Sequence, residues 1–328
     1  MVLHRQAPIE TEPLRAEDVA VPTPRDDELL VRVSACGICR TDLHVVEGDL
    51  PPARERIVPG HQVIGVVERA SAAGRFQRGD RVGIAWLRRT CGRCGYCASG
   101  RENLCEGAEF TGWHADGGFA DYALVPAAFA YAIPDVFADV AAAPLLCAGI
   151  IGFRALERAQ VPPGGRLGLW GFGSSAHVIL QIARARGARV HVLTRAPSHR
   201  ELARTLGAAW AGDLGDPPPE PLDSAIVFAP AGELVPVALR RLARGGTLAL
   251  AGIHMTPTPP LDYARDLFYE RQVRSVTANT RADGAAFLAE AARIPVRLAT
   301  TTFPLTDANG ALAALKRGAF AGSAVLVS

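Results

Sequence analysis

Through the first 150 residues apolar positions come in short, β-branched blocks broken by Gly, Pro and polar turns. ELLVRVSA (28–35), QVIGVVERA (62–70) and DRVGIAWL (80–87) read as strands, and little helical period is visible there. The pattern changes near residue 164. GGRLGLWGFGSSAHVILQIARARGARVHVLTR (164–195) reads as an apolar strand, a glycine turn, an amphipathic helix and a second strand. HRELARTLGA (199–208) predicts a helix ending at Gly207, LDSAIVFAP (222–230) a strand, and LVPVALRRLARGG (234–246) a helix ending in a glycine pair. GTLALAGI (246–253) and RQVRSVTAN (271–279) complete the strands, and PPPEPLD (217–223) is an extended surface connection. Strands alternating with helices predict an α/β protein with a parallel, doubly wound sheet beside a β-rich part.

The chain has 328 residues, which suits about two domains, and 49% of them are hydrophobic, enough for a large core. Thirty-five Lys and Arg against 33 Asp and Glu leave a net charge of +2, so no field for nucleic acid or an anionic membrane is built in. The longest apolar stretch, Val140 to Phe153, carries Pro144 and is shorter than the ~20 residues a bilayer crossing requires. No signal peptide is evident. Seven cysteines, an odd number, in a cytoplasmic protein point to metal ligation rather than disulfides.

CGRCGYCASGRENLC (91–105) concentrates four of those cysteines. C-x2-C spacing lets thiolates converge on one tetrahedral ion. Cys91, Cys94, Cys97 and Cys105 would close such a cage around a structural zinc, with Gly92, Gly95 and Gly100 freeing the backbone. A zinc ribbon joining Cys36-x2-Cys39 to Cys91-x2-Cys94 would leave Cys97 and Cys105 unexplained. Cys36, Cys39 and Cys147 are scattered, and Gly60-His61 lies near the first two in sequence. Two thiolates and one imidazole from distant segments would make a three-ligand zinc site with an open fourth position.

At CGICRTDLH, PGHQVIG, the 91–105 loop, PLLCAG and the glycine turn, in that order, the chain resembles the zinc-dependent medium-chain alcohol dehydrogenases, particularly the bacterial and cinnamyl-alcohol branches. The resemblance implies a GroES-like catalytic domain over 1–149 and 283–328, and a Rossmann coenzyme domain over 150–282. It implies Cys39, His61 and Cys147 as catalytic zinc ligands, with Cys36 a packing residue. Thr41 would pass a proton through the coenzyme ribose to His44, Asp42 would fix the tautomer of His61, and Arg40 would contact the pyrophosphate. Ile253 and Asn279 match positions near the nicotinamide, and Trp86 and Trp113 match the substrate pocket. Two departures stand out. Gln62 replaces a Glu that usually follows the zinc histidine, and GSAVL (322–326) lacks a pyrophosphate-binding arginine, for which Arg281 is a candidate substitute.

WGFGSSA (170–176) is a G-x-G-x-x-A turn between strand and helix, so Gly171, Gly173, Ser174 and Ser175 would cradle a pyrophosphate at the helix N-terminus. The acid that normally binds an NAD ribose at the end of the second strand is missing. Thr194 and Arg195 stand there, and no Asp or Glu occurs from Gly171 through Arg200. A 2′-phosphate would meet no repulsion and could bind Arg195, His199 or Arg200, which favours NADP(H) over NAD(H). The reading is therefore a two-zinc alcohol dehydrogenase or aldehyde reductase that handles a primary alcohol and assembles as a homodimer or homotetramer. A zinc-free quinone or enoyl reductase, or a redox or zinc-binding module, are the rival readings.

Overall fold

The computed structural model describes residues 1–328 except Ala73, Pro295 and Ala321. It divides into two units: Met1–Cys147 with Ala278–Ala292 and Leu298–Ser328, and Ala148–Thr277 with Arg293–Arg297. The return to the first unit thus starts at 278 rather than 283. The reason is local: Asn279 Nδ2 donates to the Tyr131 hydroxyl at 3.4 Å, and Arg281 N–H to Glu102 at 3.0 Å.

The first unit is built on a seven-stranded sheet. Its path runs Thr300–Pro304, Ser323–Val327, Glu28–Ile38, Gln62–Arg69, Arg81–Ile84 and Ala130–Ala132, with Tyr122–Pro126 also paired to Glu28–Ile38. All pairings are antiparallel except that of Thr300–Pro304 with Ser323–Val327. Leu29, Val31, Val63, Ile64, Val82, Ile84 and Phe119 are buried around it. An eight-residue helix, Arg40–Glu47, follows the first long strand, where the sequence pattern shows little helical period. Eight residues are too few to display one, and the helix is set by its N-terminus: Asp42 Oδ2 accepts the Cys39 N–H at 2.8 Å, while Cys39 Sγ accepts the Thr41 N–H at 3.4 Å.

The second unit carries a six-stranded parallel sheet. The spatial order is Trp210–Gly212, Arg189–Leu193, Arg166–Trp170, Leu222–Val227, Leu242–Leu250, Gln272–Ser275. Numbered along the chain, that order is 3-2-1-4-5-6, which opens a crevice where the direction of winding reverses beside Arg166–Trp170. The expected helix over 234–246 ends earlier, at Arg241, and a strand starts at Leu242. Pairing decides this: Leu242 is buried opposite Leu222, and the Arg-Gly-Gly residues that follow form a bulge before Thr247 meets Ser224.

The apolar stretch around Val140 is broken into Asp139–Ala142, a 3-10 turn over Ala143–Leu146, and Ala148–Ala159. No single helix among the described residues is long and apolar enough to cross a membrane.

Candidate metal centres and dinucleotide corner

Three separate segments bring donor atoms together in the first unit. Cys39 caps the N-terminus of helix Arg40–Glu47, His61 opens the strand Gln62–Arg69, and Cys147 follows the turn Ala143–Leu146. Cys39 Sγ lies 3.4 Å from His61 Nε2 and 3.9 Å from Cys147 Sγ, and all three donor atoms fall within 4.8 Å of one another. Gly60 makes this possible. Its φ is +96°, and a Cβ there would strike the Phe119 ring at 2.4 Å, so only glycine lets the chain bend His61 inward.

The surroundings of His61 complete a pattern suited to a cation. His61 is 1% exposed, and its Nδ1 faces Asp42 Oδ1 at 3.0 Å, which turns Nε2 toward the sulfurs. Burial pulls the His61 pKa down, but Asp42 and then Cys39 push it up to about 10. The bond to Cys147, and then the charge of His61, hold Cys39 well below the ordinary thiol range against the effect of burial. Two sulfurs with one imidazole held at these distances are the donors zinc prefers, and a divalent ion there would balance the buried Cys39 and Asp42 charges. Cys36 is different: burial, and then Asp42, push its thiol well up, as suits a packing residue.

Around this cluster, Thr41 is buried and its backbone touches Cys39, while the His44 Nδ1 is paired with Asp49 Oδ2 at 2.7 Å. Asp49 escaped the sequence reading, since nothing in VVEGD distinguishes it from a solvated turn acid. Trp86 stands edge-on to the His61 ring with centroids 5.0 Å apart, and stacks on Phe110 at 4.9 Å and Trp113 at 6.0 Å. Trp113 also donates to Pro51 O at 2.9 Å and borders a cavity of about 340 Å³ with Leu3, Val45 and Ile57. The aromatic wall is therefore continuous from the histidine outward. Gln62 is buried, and its amide nitrogen finds no hydrogen-bond partner among the described residues.

The four clustered cysteines also meet. Cys94 Sγ lies 3.5 Å and Cys91 Sγ 4.0 Å from Cys97 Sγ, Cys105 Sγ accepts the Cys91 N–H at 3.4 Å, and all four sulfurs lie within 4.8 Å of each other. Backbone N–H groups of Arg93 and then Cys94 hold the Cys91 thiol down to about 6. Both donor sets fit zinc. The rival pairing of Cys36-x2-Cys39 with Cys91-x2-Cys94 is absent from the donor groups found among the described residues. Glu102, inside the same loop, accepts from both the backbone and the guanidinium of Arg281, whose side chain lies over Phe129. Arg281 is thus engaged within the first unit, and the sequence offered no sign of its partner.

The dinucleotide motif belongs to the second unit. Gly171 has φ +87° and its Cβ would meet Ala229 N at 3.0 Å, so it makes the turn; Gly173 has φ −100° with nothing within 4 Å of its Cβ position, so it leaves room for close approach. Ser174 and Ser175 begin the twelve-residue helix Ser174–Ala185. Thr194 is buried and Arg195 exposed just past the strand Arg189–Leu193, and His199 lies on the next helix, Pro197–Thr205. Ile253 is exposed beyond Leu242–Leu250, and Arg40 is exposed on the first unit. Asn279 belongs to the first unit, 1% exposed, its amide bonded to Thr280 O at 2.9 Å as well as to Tyr131. A further residue went unnoticed in the sequence: His177, 2% exposed beneath Phe172, is held down to about 4 by burial and then by His199.

The description "Alcohol dehydrogenase GroES-like domain" matches residues 25–135, and "Zinc-binding dehydrogenase" matches residues 176–293. The chain is 56% identical to the protein named "Probable alcohol dehydrogenase AdhA" of Mycobacterium tuberculosis (strain CDC 1551 / Oshkosh), over 99% of this chain and 96% of that one. Among solved structures, it resembles a cobalt- and zinc-bound thermostable alcohol dehydrogenase from Pyrobaculum aerophilum with a TM-score of 0.89 at 26% identity, covering 100% of this chain and 98% of that one. It also resembles the acetophenone reductase of Geotrichum candidum NBRC 4597 in complex with NAD, with a TM-score of 0.85 at 25% identity, covering 95% and 93%.

Proposed function

We propose, from the premise that the chain belongs to the zinc-type medium-chain alcohol dehydrogenase family, that it transfers hydride reversibly between a primary alcohol, aliphatic or aromatic, and NADP+, with NADP(H) favoured over NAD(H). The observation that carries this reading is the buried convergence of Cys39, His61 and Cys147 with Thr41 beside them. These three residues would hold a catalytic zinc, and Cys91, Cys94, Cys97 and Cys105 a structural one. A bound zinc supplies Lewis acidity toward an alcohol or carbonyl oxygen, and a bound nicotinamide takes or gives the hydride.

The chain's own residues supply the rest. The Thr41 hydroxyl both donates and accepts, so it can move a proton away from a substrate hydroxyl in a site closed to water. His44 receives that proton toward solvent, with Asp49 holding the proton on its Nδ1. Asp42 keeps the His61 Nδ1–H in place. Trp86 and Trp113 give the substrate an apolar, planar wall, which suits aldehydes with flat or extended carbon chains. Gly171, Gly173, Ser174 and Ser175 would take the pyrophosphate, and Thr194, Arg195 and His199 the adenosine ribose. Asn279, whose amide is held by Thr280 O and the Tyr131 hydroxyl, and Ile253 would border the nicotinamide.

Metal quantification followed by steady-state kinetics with NADPH and NADH over a panel of aldehydes tests the reading. Two zinc ions per chain and a higher kcat/KM with NADPH are expected. One zinc per chain would favour a zinc-free quinone or enoyl reductase, and a clear NADH preference would refute the reading of Thr194 and Arg195. We also propose a cytoplasmic homodimer or homotetramer, which light scattering on the purified protein checks for assembly.

A further inference from the structure

We propose that Asp213 is the residue that limits the preference for a 2′-phosphorylated dinucleotide, an inference that rests on the ribose corner being formed at Thr194 and Arg195. The strand Arg189–Leu193 ends without an acid, but its parallel neighbour does not. Leu193 pairs with Gly212, and the Thr194 N–H donates to Gly212 O at 3.0 Å, so the next residue on the neighbouring strand, Asp213, comes to rest beside Thr194. Adjacent strands lie about 4.8 Å apart, so the carboxylate absent from residues 171–200 is delivered to the same corner from another strand.

Its position is fixed. Asp213 Oδ1 accepts the Leu214 N–H at 2.6 Å, and its own N–H donates to Asp216 Oδ2 at 2.7 Å. Asp213 Oδ2 lies 3.1 Å from Arg200 Nη1, and that same nitrogen donates to Thr194 O at 3.0 Å and Arg195 O at 3.2 Å. Arg200 therefore straps both strand ends together with its charge already balanced, while the Asp213 side chain stays 55% exposed. Of the three candidate phosphate ligands read from the sequence, Arg200 carries a carboxylate, while Arg195 and His199 have none among the described residues. A 2′-phosphate arriving there meets Asp213 and competes with it for Arg200, whereas a ribose hydroxyl finds an acceptor.

The size of the effect follows from screening. At a separation of ~7 Å, a carboxylate acting on a doubly charged phosphate across water-like dielectric at physiological salt would weaken binding by about two- to eightfold. The test is fluorescence titration of NADPH and NADH into the zinc-loaded wild type and Asp213→Asn, which keeps the Oδ1 acceptor for Leu214. Asp213→Ser serves as a second variant should the amide disturb the strap. Tightening of NADPH by about two- to eightfold, with NADH unchanged or weaker, is expected. An unchanged ratio of the two dissociation constants, in a variant that melts with the wild type, overturns the proposal. The wild-type ratio tests the NADP reading separately: a wild type that prefers NADH sinks that reading, and the response to Asp213→Asn still decides this one. Binding of neither coenzyme defeats both.

Discussion

Replacing Asp42 by Asn tests the design of the catalytic cluster most directly. Asp42 offers two acceptors to two buried donors, with Oδ1 on His61 Nδ1 at 3.0 Å and Oδ2 on the Cys39 N–H at 2.8 Å. An asparagine of the same shape offers one oxygen and one NH2, so in either orientation one buried N–H faces another donor. A buried donor left unsatisfied costs about 1–3 kcal/mol. At 1.4 kcal/mol per tenfold, that is a weakening of about 5- to 150-fold. The penalty falls on the metal-holding geometry, because the Asp42 bond is what turns His61 Nε2 toward Cys39 and Cys147. The assay is competition with a chromophoric chelator, following zinc release per chain in wild type and Asp42→Asn. One zinc should leave the variant at a chelator concentration roughly ten times lower, while the second, held by the four clustered cysteines, leaves as in the wild type. Identical release of both ions, or equal weakening of both, would refute the assignment of Asp42 as the group that orients His61.

Three further outcomes are expected. Cys105→Ser should lose one zinc per chain by mass spectrometry and lower the melting temperature by several degrees, since metal binding to a closed cage contributes directly to folding. Arg195→Ala should raise the KM for NADPH by about tenfold and leave that for NADH within about twofold, as removal of a charge-assisted phosphate contact predicts. His177, at about 4 in the folded chain against an unfolded 6.5, is buried neutral, so its contribution is complete above pH 6.5 and is lost as pH falls toward 4. Between pH 7 and pH 5 the loss is about 2 kcal/mol; urea unfolding of wild type and His177→Leu at both pH values should show a smaller pH dependence in the variant, and an equal one would remove His177 from the account.

Much of the site was legible because its chemistry is carried by residue types with few alternative uses at such spacing. Four cysteines within fifteen residues, at C-x2-C spacing and interleaved with glycines, can close on one ion, and Gly171 between strand and helix marks a positive-φ turn that other residues adopt only with strain. Other features left no trace. Helix Arg40–Glu47 is too short to print a period and exists because Cys39 and Asp42 cap it. The helix over 234–246 looked longer than it is because propensity cannot register that Leu242 is claimed by Leu222 across the sheet. Asp49 and Glu102 are single acids in polar loops, and only their partners, His44 and Arg281, give them meaning.

The sequence by itself determined the alternation of most strands and helices after residue 164, the nucleotide turn and the presence of two sets of metal donors, because periodicity, glycine geometry and cysteine spacing are local properties; the short strand Trp210–Gly212 escaped it. The tertiary structure decided which residues share a point in space. It brought Cys147 within 3.9 Å of a cysteine 108 positions earlier, joined Asp42 to His61, and set Asp213 beside Thr194 by pairing two parallel strands. Charge acts through distance in space, so the absence of an acid along one strand said nothing about the acid its neighbour would deliver.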